Sequence, residues 1–156
     1  MVCRVVFGSC DPHVAAALSQ DRTRGIFLDP RKPDDVCLVA YDETGAMRPR
    51  GDLKGWDRLR VVITNHCFGL SRFQPLIEGR QRVLQKCKGL IDQYLKAATI
   101  QLKEDTPNPV LQQQKNDALH ELQKLLDPKE PFASVAASCL RNSPYEWARA
   151  LASLPC

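Results

Sequence analysis

Residues 76–98 read LIEGRQRVLQKCKGLIDQYLKAA, and this stretch decides the fold. Leu76, Ile77, Arg80, Val83, Leu84, Cys87, Leu90, Ile91, Tyr94, Leu95 and Ala98 recur at steps of three and four, the spacing of one face of an α-helix. Glu78, Arg82, Gln85, Lys86, Lys88, Asp92 and Lys96 fall on the opposite face. The stripe would run for roughly 35 Å of helix. Propensity alone does not hold such a helix in water, so the stripe must pack on other elements. At about 1.5–3 kcal/mol per large apolar side chain buried, it is the main stabilising element expected of the fold.

The same period continues on both sides. Upstream, Trp56, Leu59, Val62, Ile63 and Cys67 share a helical face, and Gly69 is placed to stop that helix in a left-handed turn. Cys67 reads as core. Downstream, Thr106-Pro107-Asn108-Pro109 is a break in which Asn108 can cap a third helix and Pro109 fits its first turn. Leu111, Ala118, Leu119, Leu122, Leu125 and Leu126 give that helix its apolar face, and Asp127-Pro128 ends it. Phe132, Val135, Ala136, Cys139 and Leu140 predict a shorter fourth helix. Ser143 and Glu146 match a capping box, with Pro144 at the first helical position and Trp147, Leu151 and Leu154 facing inward from a last short helix.

Before residue 54 the spacing shortens towards two. Val2, Val5, Val6 and Phe7 suggest a strand, and Asp11 with Pro12 opens a short helix over His13–Gln20. Ile26, Phe27 and Leu28 read as a second strand, and Arg31–Asp35 as a charged loop. Val36–Tyr41 and Ala46-Met47-Arg48 flank the turn signal Asp42-Glu43-Thr44-Gly45 and read as a hairpin. The expected fold is therefore α+β and predominantly α, with a short N-terminal β element packed on a bundle of four or five helices. Residues 1–53 form the small β-containing segment and 54–156 the bundle, together one compact domain.

Composition is compatible with this. The chain has 156 residues, 44% apolar and 26% charged, enough for a core without disulfide or metal props. The net charge of +4 permits contact with nucleic acid without arguing for it. The seven cysteines are odd in number, irregularly spaced and free of any Cys-x-x-Cys pair, so they read as reduced thiols of a cytoplasmic protein. The short apolar run at the N-terminus, interrupted by Arg4, lacks a signal-peptide layout, and no run approaches membrane-spanning length.

The residues that could carry chemistry are few. Cys10 and His13 have metal-ligand spacing, but a site needs four ligands and only Cys3 is near in sequence, so the pair reads first as a surface histidine in a helix's first turn beside a small buried thiol and only weakly as metal ligands. His66 and Cys67 are neighbours near a helix end and point about 100° apart, too far for a shared ion or a nucleophile–base pair. His66 suits the helix C-terminus, and His120 reads as solvent-facing. Turn and cap roles account for Asp29, Asp34, Asp35, Asp42 and Glu43. No glycine-rich phosphate loop, nucleophile elbow or His-Glu-x-x-His helix occurs. Arg24, Arg31, Lys32, Arg80 and Arg82 are the cations best suited to phosphates, although acidic residues are interleaved with them. Arg80 lies inside the apolar stripe and should find a carboxylate or a phosphate. Phe132, Tyr145 and Trp147 are candidate anchors for a partner protein.

Several spaced motifs carry a family resemblance. Phe27-Leu28-Asp29-Pro30, Leu38–Gly45 (LVAYDETG), Leu70-Ser71-Arg72-Phe73, Pro75-Leu76-Ile77-Glu78-Gly79-Arg80-Gln81 and Pro131-Phe132-Ala133-Ser134-Val135 occur in that order. Over about residues 23–150 the chain resembles bacterial HNH-type endonucleases that are encoded beside an ATPase in phage-defence or retron-like loci. The resemblance implies a compact metal-dependent HNH unit first, then a "DP" loop, an acidic hairpin ending in Gly, a helix ending in a "GL" turn and a long helix with an Arg near its start. The HNH unit would present a His as general base, an Asn to orient it and a further metal-holding residue, often with cysteine pairs on a structural zinc. It should lie just before Phe27. There His13 has no Asn partner, no Asp-His or Glu-His pair precedes it, and Asp21–Gly25 is similar to the polar turn after the family's second cysteine pair but lacks the cysteines.

The resemblance thus implies either the C-terminal portion of such a nuclease or a degenerate relative that kept the helical scaffold. Such a relative would bind DNA or a partner protein without cutting. An interaction module docking on an ATPase or on a second copy of itself is the alternative. An active nuclease using His13 and a divalent metal, Mg or Zn, is the third, since that chemistry needs a metal to polarise the phosphate and a base to activate water. The residues by themselves imply no cofactor and no membrane contact.

Overall fold

The computed structural model describes residues 25–104 and 106–152. Two compact units divide the described chain, the first ending at Ile77 and the second beginning at Glu78. The fold is predominantly helical with one two-stranded antiparallel hairpin, the α+β class expected from the sequence. The candidates Cys10, His13 and Arg24, the strand expected over Val2–Phe7, the helix expected over His13–Gln20 and the inward-facing Leu154 all lie outside the described residues.

In the first unit, α1 (Pro33–Val36) is a single helical turn with proline at its start. It replaces part of the loop expected over Arg31–Asp35. The hairpin joins β1 (Val39–Tyr41) to β2 (Met47–Pro49) in the register Val39–Pro49, Ala40–Arg48, Tyr41–Met47. Its connection is built as the sequence suggested. Asp42 Oδ1 accepts from the backbone N–H groups of Thr44 and Ala46, and Gly45 takes the positive φ of 75° that closes the turn. Helix α2 (Gly55–Phe68) packs on β2 and ends at Gly69, whose left-handed φ of 62° returns its N–H to the last turn. Leu38, Val39, Met47 and Val61 form the core of this unit, with Leu28, Tyr41, Leu53 and Leu70 against them. Cys67 is exposed, not core as expected: it sits in the last turn of α2, beyond the end of the packed face.

No strand forms at Ile26–Leu28. The segment is held instead by side chains from α2. The Arg60 guanidinium donates to the Gly25 carbonyl at 2.7 Å and the Phe27 carbonyl at 3.2 Å, and Thr64 Oγ1 accepts from Leu28 N–H at 3.0 Å. Arg60 also binds both oxygens of Asp35 at 2.7 and 2.8 Å, and Asp35 accepts from Asp29 N–H at 2.8 Å. Arg60 and Asp35 are both buried. Side-chain donors thus replace the ladder hydrogen bonds that the apolar run alone would need.

In the second unit, α3 (Gln74–Gln101, its first turn in the first unit), α4 (Pro109–Leu125), α5 (Ala133–Arg141) and α6 (Glu146–Leu151) supply one core. Cys87, Ile91, Leu122, Leu140, Ala148 and Ala152 are its buried members. Arg80, Leu84, Cys87 and Ile91 are buried at helical spacing, as the stripe requires. Asn108 caps α4 as expected, its side chain accepting from Val110 and Leu111 N–H. The capping box at Ser143 does not form. Tyr145 occupies the N-cap of α6 without a side-chain cap bond, and Ser143 Oγ accepts from Tyr145 N–H in a local turn one residue earlier. Phe132, at the N-cap of α5, has a φ of 65°. Its ring lies over Gly79, where an added Cβ would sit 2.5 Å from ring carbons Cε2 and Cζ.

Cys37 is disulfide-bonded, so the expectation of reduced thiols throughout does not hold there, while Cys67, Cys87 and Cys139 are free. Among the described residues no helix is long and apolar enough to cross a membrane.

Candidate functional site

The end of α2 and the turn after it line a shallow recess in the first unit. Val62, Asn65 and His66 come from the last turns of α2, and Ser71 and Arg72 from the chain that Gly69 turns back. Together they line an open cleft of about 190 Å³. Two of the lining residues also secure the hairpin. Asn65 Nδ2 donates to the Met47 carbonyl at 3.1 Å, and Ser71 Oγ accepts from Met47 N–H at 2.8 Å. The backbone groups of β2 that face away from β1 are thereby satisfied, as an edge strand needs. Asn65 Oδ1 is buried and has no hydrogen-bond partner among the described residues. Arg72 is exposed and forms no ion pair among the described residues.

The cleft therefore joins one permanent cation, one imidazole, one hydroxyl and one amide oxygen on a hairpin-plus-helix support. The Asn65 amide nitrogen and the Ser71 hydroxyl are spent on Met47, so Arg72 and His66 are the donors left to meet an anion. No nucleophile–base pair is assembled in it, and among the described residues no three His, Cys, Asp or Glu side chains approach closely enough to hold a metal.

The residues singled out in the sequence are placed differently. Arg31 is exposed and binds Asp29 through Nε at 3.2 Å and Nη2 at 3.4 Å. Those Arg31 bonds hold the Asp29 carboxyl below its ordinary range. Lys32 occupies the N-cap of α1 and adds positive charge beside Asp29 and Asp35. The bond from Arg60 likewise keeps the Asp35 carboxyl low, against the opposing effect of burial. At the turn, burial pushes Asp42 up, and bonds from Thr44, Arg48 and the backbone N–H groups outweigh it. In the second unit, Arg80 is 5% exposed and already engaged, which removes it from the surface. Arg82 is exposed and donates to the Glu78 carbonyl. Trp147 packs on Tyr94 at 4.2 Å with the rings tilted by 35°, and against the core, and Tyr145 is stacked on it at 6.4 Å.

No family model, curated protein or solved structure matches the chain. The cleft must therefore be read from its own residues. From the sequence His66 reads as a helix-end residue, Ser71 and Arg72 appear only within a resemblance motif, and Asn65 has no role. The available signal was the density of polar side chains around the Gly69 stop, where a helix end and a reversed chain bring four of them within eight residues of sequence.

Proposed function

We propose that the chain is a relative of HNH-type endonucleases that binds the phosphate backbone of DNA without cutting it. The observation that carries the DNA reading is the cleft at Asn65, His66, Ser71 and Arg72, whose chemistry suits a phosphodiester oxygen pair. The hairpin followed by α2 supplies a rigid frame for it. Arg72 would donate to the phosphate, and the His66 ring would sit beside it as a second donor. Within the same unit Arg31 and Lys32 add exposed positive charge, although Arg31 is partly neutralised by Asp29; Arg82 is an exposed cation of the second unit. The resemblance in the sequence supplies the family.

Fluorescence anisotropy with a labelled duplex, titrated between about 50 and 200 mM salt, tests the reading. Affinity should fall steeply with salt, and Arg72→Ala should weaken binding and lower the log–log slope by about 0.9. A flat salt dependence, or an Arg72→Ala protein that binds like the parent, would refute it.

A second reading is favoured by one other observation. Phe27 and Phe68 form an exposed edge-to-face pair at 5.3 Å, with the two side chains 47% and 61% exposed. Exposed aromatics of this kind mark contact surfaces. A partner protein, whether an ATPase or a second copy of the chain, would cover them. Light scattering that reports a monomer at all concentrations removes the self-association form of this reading.

A further inference from the structure

Three aromatic rings lie in a row in the second unit, and neither proposed function uses them. Tyr94, on α3, packs on Trp147 at 4.2 Å, and Trp147 in turn carries Tyr145 at 6.4 Å with their planes 21° apart. Exposure rises along the row. Trp147 packs against the core, whereas Tyr145 is 39% exposed. The backbone at Tyr145 is also fixed: its N–H donates to Ser143 Oγ at 3.3 Å, and its carbonyl accepts from Arg149 N–H at 3.1 Å. The phenol ring is therefore backed by the indole and anchored at its root, with part of its π surface left in water.

A cation stands beside this ring. Arg149, one turn along α6, folds its side chain back so that Nη1 donates to the Ser143 carbonyl at 3.0 Å and the Pro144 carbonyl at 2.9 Å. Those two bonds hold the guanidinium next to the chain that leads into Tyr145. They use both Nη1 hydrogens and leave the Nε and Nη2 hydrogens to be placed. Arg149 is exposed and forms no ion pair among the described residues, and Glu146 on the same helix does not neutralise it. A permanent charge is thus oriented in advance without a carboxylate to satisfy it.

We infer that Tyr145 and Arg149 form a binding site for an unpaired nucleotide of a single nucleic-acid strand, with the base stacked on the Tyr145 ring and its phosphate held by Arg149. The ligand must bring a flat π face and a negative charge close together, and a nucleotide brings both. A duplex hides its base faces in the stack, so the site addresses a strand that is open. Stacking on an aromatic ring accepts any base, because every base has a π face. The site is independent of the cleft in the first unit, which addresses phosphates alone, and either can fail without the other.

Fluorescence anisotropy of the full chain with a labelled oligothymidylate, and with an abasic strand of the same length, tests this. The parent should bind the oligothymidylate about 5- to 150-fold more tightly than the abasic strand, the range that stacking one base supplies. Tyr145→Ala should remove that preference, and Tyr145→Phe, which keeps the ring, should retain it. Arg149→Gln should lower the log–log salt slope by about 0.7. Arg72→Ala should leave the base preference as it is, which separates this site from the cleft. An oligouridylate run alongside tells a DNA strand from an RNA strand, and its affinity should fall equally with Tyr145→Ala. Circular dichroism establishes that each variant is folded. Should Tyr145→Ala fail to fold, the two strands on the parent protein still decide. Equal affinity of the parent for both strands, no binding of either, or a Tyr145→Ala protein that keeps the base preference overturns the inference.

Discussion

Gly79 and Gly89 both lie in α3, and the same substitution should move stability in opposite directions at the two sites. In a helix interior, Gly→Ala is worth about 1 kcal/mol in favour of folding. At Gly89 nothing lies within 4 Å of a Cβ, so Gly89→Ala should deliver that gain nearly whole. At Gly79 the new methyl would sit 2.5 Å from two carbons of the Phe132 ring, about 1 Å inside normal contact. The ring cannot simply swing away, because the Phe132 backbone is held at φ 65° as α5 begins. Overpacking of this kind costs about 1–3 kcal/mol. Set against the propensity gain, Gly79→Ala should be destabilising by roughly 1 kcal/mol, about 2 kcal/mol worse than Gly89→Ala.

Urea unfolding followed by circular dichroism measures both, with the slope of each transition checked for constancy. A double-mutant cycle with Phe132→Ala isolates the cause, since without the ring Gly79→Ala should become as favourable as Gly89→Ala. If Gly79→Ala stabilises the parent protein as much as Gly89→Ala does, the packing argument is wrong.

The remaining predictions concern the buried ion pair and a helix cap. Asp35→Ala should cost about 3–5 kcal/mol, because it leaves the Arg60 charge buried without its carboxylate, and thermal or urea unfolding reads that loss. Asp35 is held below its ordinary value of 3.8, so its contribution is complete above that pH and disappears as pH falls towards the folded value. An acid titration should therefore show the parent losing stability below about pH 4 more steeply than Asp35→Ala does. Asn108→Ala should cost about 1 kcal/mol by removing the acceptor for Val110 and Leu111 N–H, which an α-helical signal in a urea titration would show.

What the sequence made legible, and what it hid, follows from the range of the interactions involved. The hairpin could be read because its turn chemistry is local: Asp42 caps groups two and four residues on, and Gly45 supplies the positive φ. Gly69 and Asn108 mark helix ends for the same local reason. Ile26-Phe27-Leu28 misled because apolar, β-forming residues do not reveal what satisfies their backbone. The partners, Arg60 and Thr64, lie more than thirty residues away. Ser143 and Glu146 matched a motif that fails because the helix starts two residues later, with Tyr145 at its N-cap. Within the cleft, His66 drew notice as a titratable residue, whereas Asn65 and Ser71 are distinguished only by their bonds to Met47. Such bonds are invisible until β2 is placed beside α2.

The bonds from Arg60 to the Gly25 and Phe27 carbonyls also set a minimum length for any shortened version of this protein. A version starting at Gly25 retains both acceptors. One starting at Asp29 discards them, together with the Leu28 N–H that Thr64 accepts, and leaves a buried guanidinium with its carboxylate partner but fewer acceptors than it has hydrogens to place. Expression boundaries drawn at the first helix or strand would make that cut unknowingly. Four residues without regular secondary structure thus carry the acceptors on which a buried guanidinium depends.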